Sequence, residues 1–240
     1  MRCFRTRLAA DPVMDLALVG SEPTLARALA TALIERGAAV VTVGPDAGGE
    51  HVLGCDTSSA DQVQECLGTA EAALGGQPAV IRLGIGSAQT TAGELTSMSQ
   101  AEWVARAEEP LREAFAFHQA AQRFLADRAG RIIVIVPTVG LSGGPGFVPW
   151  ASTAEADRSL VKAQARVSGN RDVTINCVAV ASMLLAGTAD DPDRSGLPAY
   201  ALPRPDIGQV ADVVLSLLSP AFAGVTGQTI AVDGGRWMAP

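Results

Sequence analysis

The chain holds one tyrosine (Tyr200), one lysine (Lys162) and two histidines (His51, His118) in 240 residues. Chemistry that needs a phenol, an ammonium or a cluster of imidazoles therefore has few places to occur. The four cysteines, Cys3, Cys55, Cys66 and Cys177, form no Cys-x-x-Cys pair. With so few histidines beside them, the usual zinc spacings are excluded and no metal is expected. Scattered free thiols suit a reducing compartment, which points to the cytoplasm. No apolar run approaches the roughly 20 residues that span a bilayer, and the first residues lack the apolar stretch of a signal peptide. Basic blocks are also missing, and the net charge is −7. That excludes a general binder of nucleic acid or anionic membrane.

What is present is apolar. Hydrophobic residues make up 48%, charged residues 18%, and the mean hydropathy is +0.24, enough for a sizeable core. The length fits a single α/β domain. MRCFRTRLAADPVM, residues 1–14, is short and basic; it reads as an arm outside that domain, or as a stretch upstream of a true start at Met14. The domain itself is expected over 15–240.

Short apolar runs alternate with helical patterns. Leu16 to Val19, Ala38 to Val43, His51 to Cys55, Ala79 to Leu83, Arg131 to Val136, Val173 to Val180 and Thr229 to Val232 read as strands. Between them, Leu25 to Arg36, Ser59 to Leu74, Glu102 to Asp127, Trp150 to Ser168 and Ile207 to Leu218 carry apolar residues at helical spacing. Ser21 is the expected N-cap of the first helix, with Pro23 in its first turn. Strands this short, covered on both faces, predict a parallel, doubly wound, Rossmann-like sheet in an α/β/α sandwich. The Pro- and Asp-rich stretch from Gly187 to Pro205 reads as an insertion over the strand ends.

The closing segment TGQTIAVDGG (Thr226 to Gly235), the helix PRPDIGQVADVVLSLLSP before it, RIIVIVPTVGLSGGPG and Asn176 in VTINCVAV together resemble the classical short-chain dehydrogenase/reductase family. The likeness is greatest to its ketoacyl-reductase-like branch, and it extends over Asp15 to Met238. Members bind NAD or NADP at a TGxxxGxG turn. Laid on this chain without gaps, that turn keeps only Gly20 and puts Thr24 and Ala26 where the later glycines belong. Glu22 adds a carboxylate, which within about 4 Å of a phosphate costs on the order of 1–4 kcal/mol. Asp56 takes the adenine-contacting position, though an Asp after a strand also opens a helix in the ordinary way. The Asn-Asn-Ala-Gly segment becomes Leu83, Gly84, Ile85 and Gly86, and the Pro-Gly…Thr stretch becomes Val180, Ala181 and Leu185.

The family's catalytic asparagine, serine, tyrosine and lysine fall on Pro110, Pro137, Trp150 and Ala154. A proton donor of suitable pKa contributes about 10²–10⁴-fold to such chemistry. An indole N–H does not ionise in the working range. Thr138, Ser142, Ser152 and Thr153 offer hydroxyls without an evident base; Lys162 reads as a surface residue and His118 as a packing or interface residue. Tyr200 has no apparent partner.

The resemblance therefore implies an SDR scaffold without intrinsic catalysis or productive cofactor binding. The expected role is a subunit paired with an active paralogue, as a dimer or tetramer, with NAD or NADP on the partner and a hydroxyacyl or ketoacyl substrate. Self-association is the other possibility. Trp103, Ala107, Leu111, Phe115 and Phe124 in the long helix, and Trp237 and Met238 at the C-terminus, are the candidate interface residues. A divergent oxidoreductase, or an enzyme using a remodelled cleft without nicotinamide, is the alternative.

Overall fold

The computed structural model describes residues 14–20, 22–45, 51–84, 90–186 and 200–238. Seven strands, β1 (Asp15–Gly20), β2 (Ala39–Gly44), β3 (Val52–Gly54), β4 (Ala79–Leu83), β5 (Gly130–Pro137), β6 (Val173–Val180) and β7 (Thr229–Val232), form one sheet. Its order is β3-β2-β1-β4-β5-β6-β7 and every neighbouring pair is parallel. The winding reverses between β1 and β4, so the strand ends there form the crevice where such sheets take ligands.

Period-two alternation assigns the two faces. Leu16 and Leu18 of β1 face α1 (Pro23–Glu35) and α8 (Ile207–Leu218). Ala17 and Val19 face α2 (Ala60–Leu74), α4 (Glu109–Phe124) and α6 (Val148–Ser168). Short helices α3 (Gln100–Trp103), α5 (Val139–Ser142) and α7 (Ser182–Ala186) complete the described set. The result is the three-layer, doubly wound architecture the sequence predicts, in one domain. Residues 1–13 of the expected arm lie outside the described residues. Met14 joins the domain, because its carbonyl accepts the Ala39 N–H at 3.0 Å.

The family's closing motif is structural here. Asn176, buried in β6, donates to the Val225 carbonyl at 2.8 Å and accepts the Gln228 N–H at 3.0 Å, which fixes β7 to the sheet. Asp233 accepts the N–H groups of Gly235 and Trp237, closing a turn in which Gly234 and Gly235 have φ near +70°. Only glycine takes that backbone without strain.

Two local features differ from the sequence expectation. Glu22, not Ser21, caps α1, and Ser21 itself lies outside the described residues. The long helix starts earlier, at a Ser99–Glu102 capping box, and is interrupted by a π turn over Val104–Glu108. Pro110 explains the π turn: it has no N–H to donate, and its ring would strike the carbonyl four residues back in a regular helix. The wider turn absorbs both effects, so the chain continues without a break. As the sequence predicts, β2 and β3 are joined by only residues 45–51. A packed crossover needs about a dozen or more residues, and among the described residues the layer that holds α1 and α8 has no third helix over β2 and β3.

Candidate functional site

At the β1/β4 switch point, Val19 and Gly20 end one strand and Arg82 and Leu83 the other. Between them, with Thr57, Glu113 and Phe117, lies a cavity of about 10 Å³, room for one water at most. Leu83 closes it from the β4 side: a Cβ placed on Gly20 would lie 3.1 Å from the Leu83 Cβ.

Above Gly20, the first turn of α1 carries free backbone donors by construction. Here Glu22 takes them. Its carboxylate accepts the Leu25 N–H at 2.5 Å and the Thr24 N–H at 3.3 Å. The Thr24 side chain is exposed, while Ala26 is buried against the core. The sequence alone shows Glu22 as a charge near the turn; the structure shows it bonded to the turn's own donors. Asp56 is exposed and engaged locally, accepting the Ser58 N–H at 3.0 Å and the Ser58 hydroxyl at 2.6 Å. Those bonds hold its carboxyl below the ordinary carboxylate range and lead the chain into α2. Ile85 and Gly86 lie outside the described residues.

The four positions matched to catalytic roles are all on the expected elements. Pro137 is the buried last residue of β5, opposite Val180. Thr138 follows it into a turn in which its hydroxyl and that of Ser182 lie 3.3 Å apart, both buried. The Ser182 hydroxyl also accepts the Val139 N–H at 2.7 Å. These two hydroxyls stitch β5 to β6. Trp150 is fully buried in the cluster on the α1 side, tilted against Phe147 at 6.1 Å. Its indole N–H has no hydrogen-bond partner among the described residues. Ala154 belongs to the cluster on the opposite face, and a Cβ on Gly140 would sit 2.7 Å from its own. Pro110 is half-buried just after the π turn. The Ser142, Ser152 and Thr153 hydroxyls bond helix carbonyls one turn back. Lys162 is exposed.

The sequence reading missed Arg82. On β4 it points under α4 and α6 and pairs with Asp157, both almost fully buried. Asp157 also contacts His118 Nε2 at 3.2 Å, and His118 Nδ1 lies 2.9 Å from Gln164 Oε1. Burial pushes the Asp157 carboxyl up, but the Arg82 charge and the His118 contact outweigh it and hold the group below its usual range. An arginine inside an otherwise apolar strand (AVIRL) is the signal that would have found this network. His118, expected as a packing or interface residue, lies inside it.

Tyr200 does have a partner. Its hydroxyl accepts from Arg236 Nη1 at 3.2 Å and donates to Met183 Sδ at 3.5 Å, while the Arg236 guanidinium lies 4.9 Å from its ring centre. The sequence reading, which gave Tyr200 no partner, is corrected on this point. The C-terminal turn places Arg236 there, 36 residues away in sequence.

Comparison with known proteins agrees with this architecture. A family model described as enoyl-(acyl carrier protein) reductase matches residues 19–236. The chain is 29% identical over 243 residues to the 3-oxoacyl-[acyl-carrier-protein] reductase FabG of Vibrio harveyi, covering 93% of this chain and 97% of that protein. It is 32% identical over 187 residues to nodulation protein G of Rhizobium sp. (strain N33), covering 75% of each. A solved short-chain dehydrogenase/reductase variant from Serratia marcescens superposes with a TM-score of 0.71 at 23% identity, over 94% of this chain and 99% of that one; that is a likeness of fold. No described helix is long and apolar enough to cross a membrane. On the extent of the family match and the strand order that accompanies it, this chain belongs to the classical short-chain dehydrogenase/reductase family, as a ketoacyl-reductase-like member.

Proposed function

We propose that this chain is a non-catalytic subunit that assembles with an active short-chain dehydrogenase/reductase paralogue, in a complex acting on a hydroxyacyl or ketoacyl substrate with NAD or NADP held by the partner. The observation that carries this reading is Glu22. Its carboxylate already accepts the α1 donors that a cofactor phosphate would need, and it would repel that phosphate. The narrow β1/β4 crevice supports the same reading. No donor of suitable pKa stands at Trp150, and no cation at Ala154.

The association face is α4 with α6. Leu111, Phe115 and Val167 are exposed there, and the two helices are already tied together by His118–Gln164 and Gln122–Ser168 hydrogen bonds. Ala107 and Phe124, expected among the interface residues, are buried in the chain's own core. Exposed apolar groups on a paired helical surface are what a partner of similar build would cover.

The test is co-expression with a candidate active paralogue, followed by chromatography and calorimetric titration of each separated chain with NAD(H) and NADP(H). A stable complex in which only the partner binds nucleotide is the expected result. Micromolar nucleotide binding by this chain alone, with no complex, overturns the proposal.

A second reading, an enzyme with a remodelled cleft, rests on the Tyr200–Arg236 contact, which gives the only phenol a cationic neighbour. It requires turnover by the isolated chain that Tyr200→Phe abolishes.

A further inference from the structure

A pocket of about 300 Å³ lies between α1 and the strands β2 and β3. Val40 and Thr42 of β2 and Val52 of β3 form its floor, and Ala30 and Ile34 of α1 its wall. Ile34 is 51% exposed, although its neighbour Leu33 is completely buried; the exposed side chain therefore lines a concavity. Two basic residues, Arg27 and His51, also line the pocket. Among the described residues, Arg27 makes no hydrogen bond or ion pair.

His51 is held in an uncommon backbone, with φ at 68°. Its carbonyl accepts both the N–H of Thr42 at 2.9 Å and the Thr42 hydroxyl at 3.3 Å. Left-handed backbone in a residue with a side chain costs energy, and such positions recur at ligand clamps. The pocket volume is at the lower end of small-molecule sites. Two turns of helix about 10 Å wide would need roughly 800 Å³, so a docked helix does not fit.

We propose that this pocket binds a small amphipathic monocarboxylate, its apolar body lying where a crossover helix would have placed side chains and its carboxylate on the Arg27 guanidinium. The planar guanidinium matches a carboxylate in two parallel hydrogen bonds. A single unpaired guanidinium fits one negative charge. The pocket adjoins the dinucleotide crevice, because Gly20, Pro23 and Ala26 of the β1–α1 turn line it as well; the proposal does not depend on the subunit reading above.

The probe is octanoate, titrated into the full chain by calorimetry, with octylamine and octanol as controls. The expected result is saturable octanoate binding, at least tenfold weaker for Arg27→Gln and lost for Ala30→Trp, which fills the pocket. Octylamine is expected not to bind. Because Ala30 is buried, Ile34→Asp at the exposed wall is the second variant should Ala30→Trp not fold; it removes apolar contact and adds a repelling charge, and is expected to weaken binding by a similar factor. No saturable octanoate binding, binding indifferent to Arg27→Gln, or octylamine binding as tightly as octanoate overturns the proposal. Displacement of octanoate by NADPH also overturns it, by assigning the pocket to an adenosine.

Discussion

Gly140 and Ala154 bring α5 and α6 into contact so close that a Cβ on the glycine would lie 2.7 Å from that of the alanine. A lysine at 154 would have to pass through this contact, and a tyrosine at 150 would bring a phenol into a fully buried position. The double variant Trp150→Tyr/Ala154→Lys is therefore expected to lose stability, by about 1–3 kcal/mol for an overpacked site, and to gain no ketone reduction. Urea unfolding and NADPH oxidation measure the two parts. Turnover by this variant would show that the cofactor site is intact after all.

Glu22 is both cap and obstacle. Glu22→Ser keeps an oxygen that can cap α1 while removing the charge, so the melting temperature should move little. Affinity for inorganic pyrophosphate should rise by about tenfold, within the range that Coulomb's law allows for one charge near the site. Glu22→Ala removes the cap as well and should cost about 0.5–2 kcal/mol. Equal pyrophosphate affinity in wild type and Glu22→Ser would mean that the carboxylate does not guard the helix end.

Asp157 makes stability pH-dependent in a defined direction. Its folded-state pKa is depressed, so its contribution is complete above the unfolded carboxylate value, near about 3.9. That contribution disappears as pH falls through the lower folded value. Unfolding free energy should thus be insensitive to this group between pH 7 and about pH 5 and decline in more acid solution. Asp157→Asn strands the Arg82 guanidinium and should cost about 3–5 kcal/mol at pH 7, while flattening the acid limb of the stability curve. An acid limb unchanged in that variant would assign the decline to other carboxylates.

Phe115 is 58% exposed, so Phe115→Glu should leave the fold intact. If α4 and α6 form the association face, the same substitution should abolish complex formation or self-association in sedimentation velocity, with circular dichroism unchanged. Retained association would move the interface elsewhere.

Much of the fold was legible because it rests on periodicity. The strand limits at Ala79–Leu83, Val173–Val180 and Thr229–Val232 and the helix Ile207–Leu218 follow from apolar runs bounded by Gly, Pro and capping residues. What periodicity does not carry is who meets whom across the sequence. Arg82 finds Asp157 75 residues later, and Arg236 reaches back to Tyr200, because the sheet order brings distant segments together. The role of Glu22 was hidden for a different reason. Its own backbone has to turn before its side chain can reach the N–H of Leu25, and a spacing rule that looks for glycine there sees only a departure from pattern.

The π turn at Val104–Glu108 affects how this helix is compared with a regular one. Its hydrogen bonds close five residues apart instead of four, with the Glu109 N–H bonded to the Val104 carbonyl. That inserts the equivalent of one residue, or about 100° of rotation at 3.6 residues per turn. A position counted forward from Trp103 through this turn therefore arrives on a different side of the cylinder from its counterpart in an uninterrupted helix. Leu111 then takes the angular place that such a count gives Pro110, so the residue facing the cleft from α4 has to be identified by where it points.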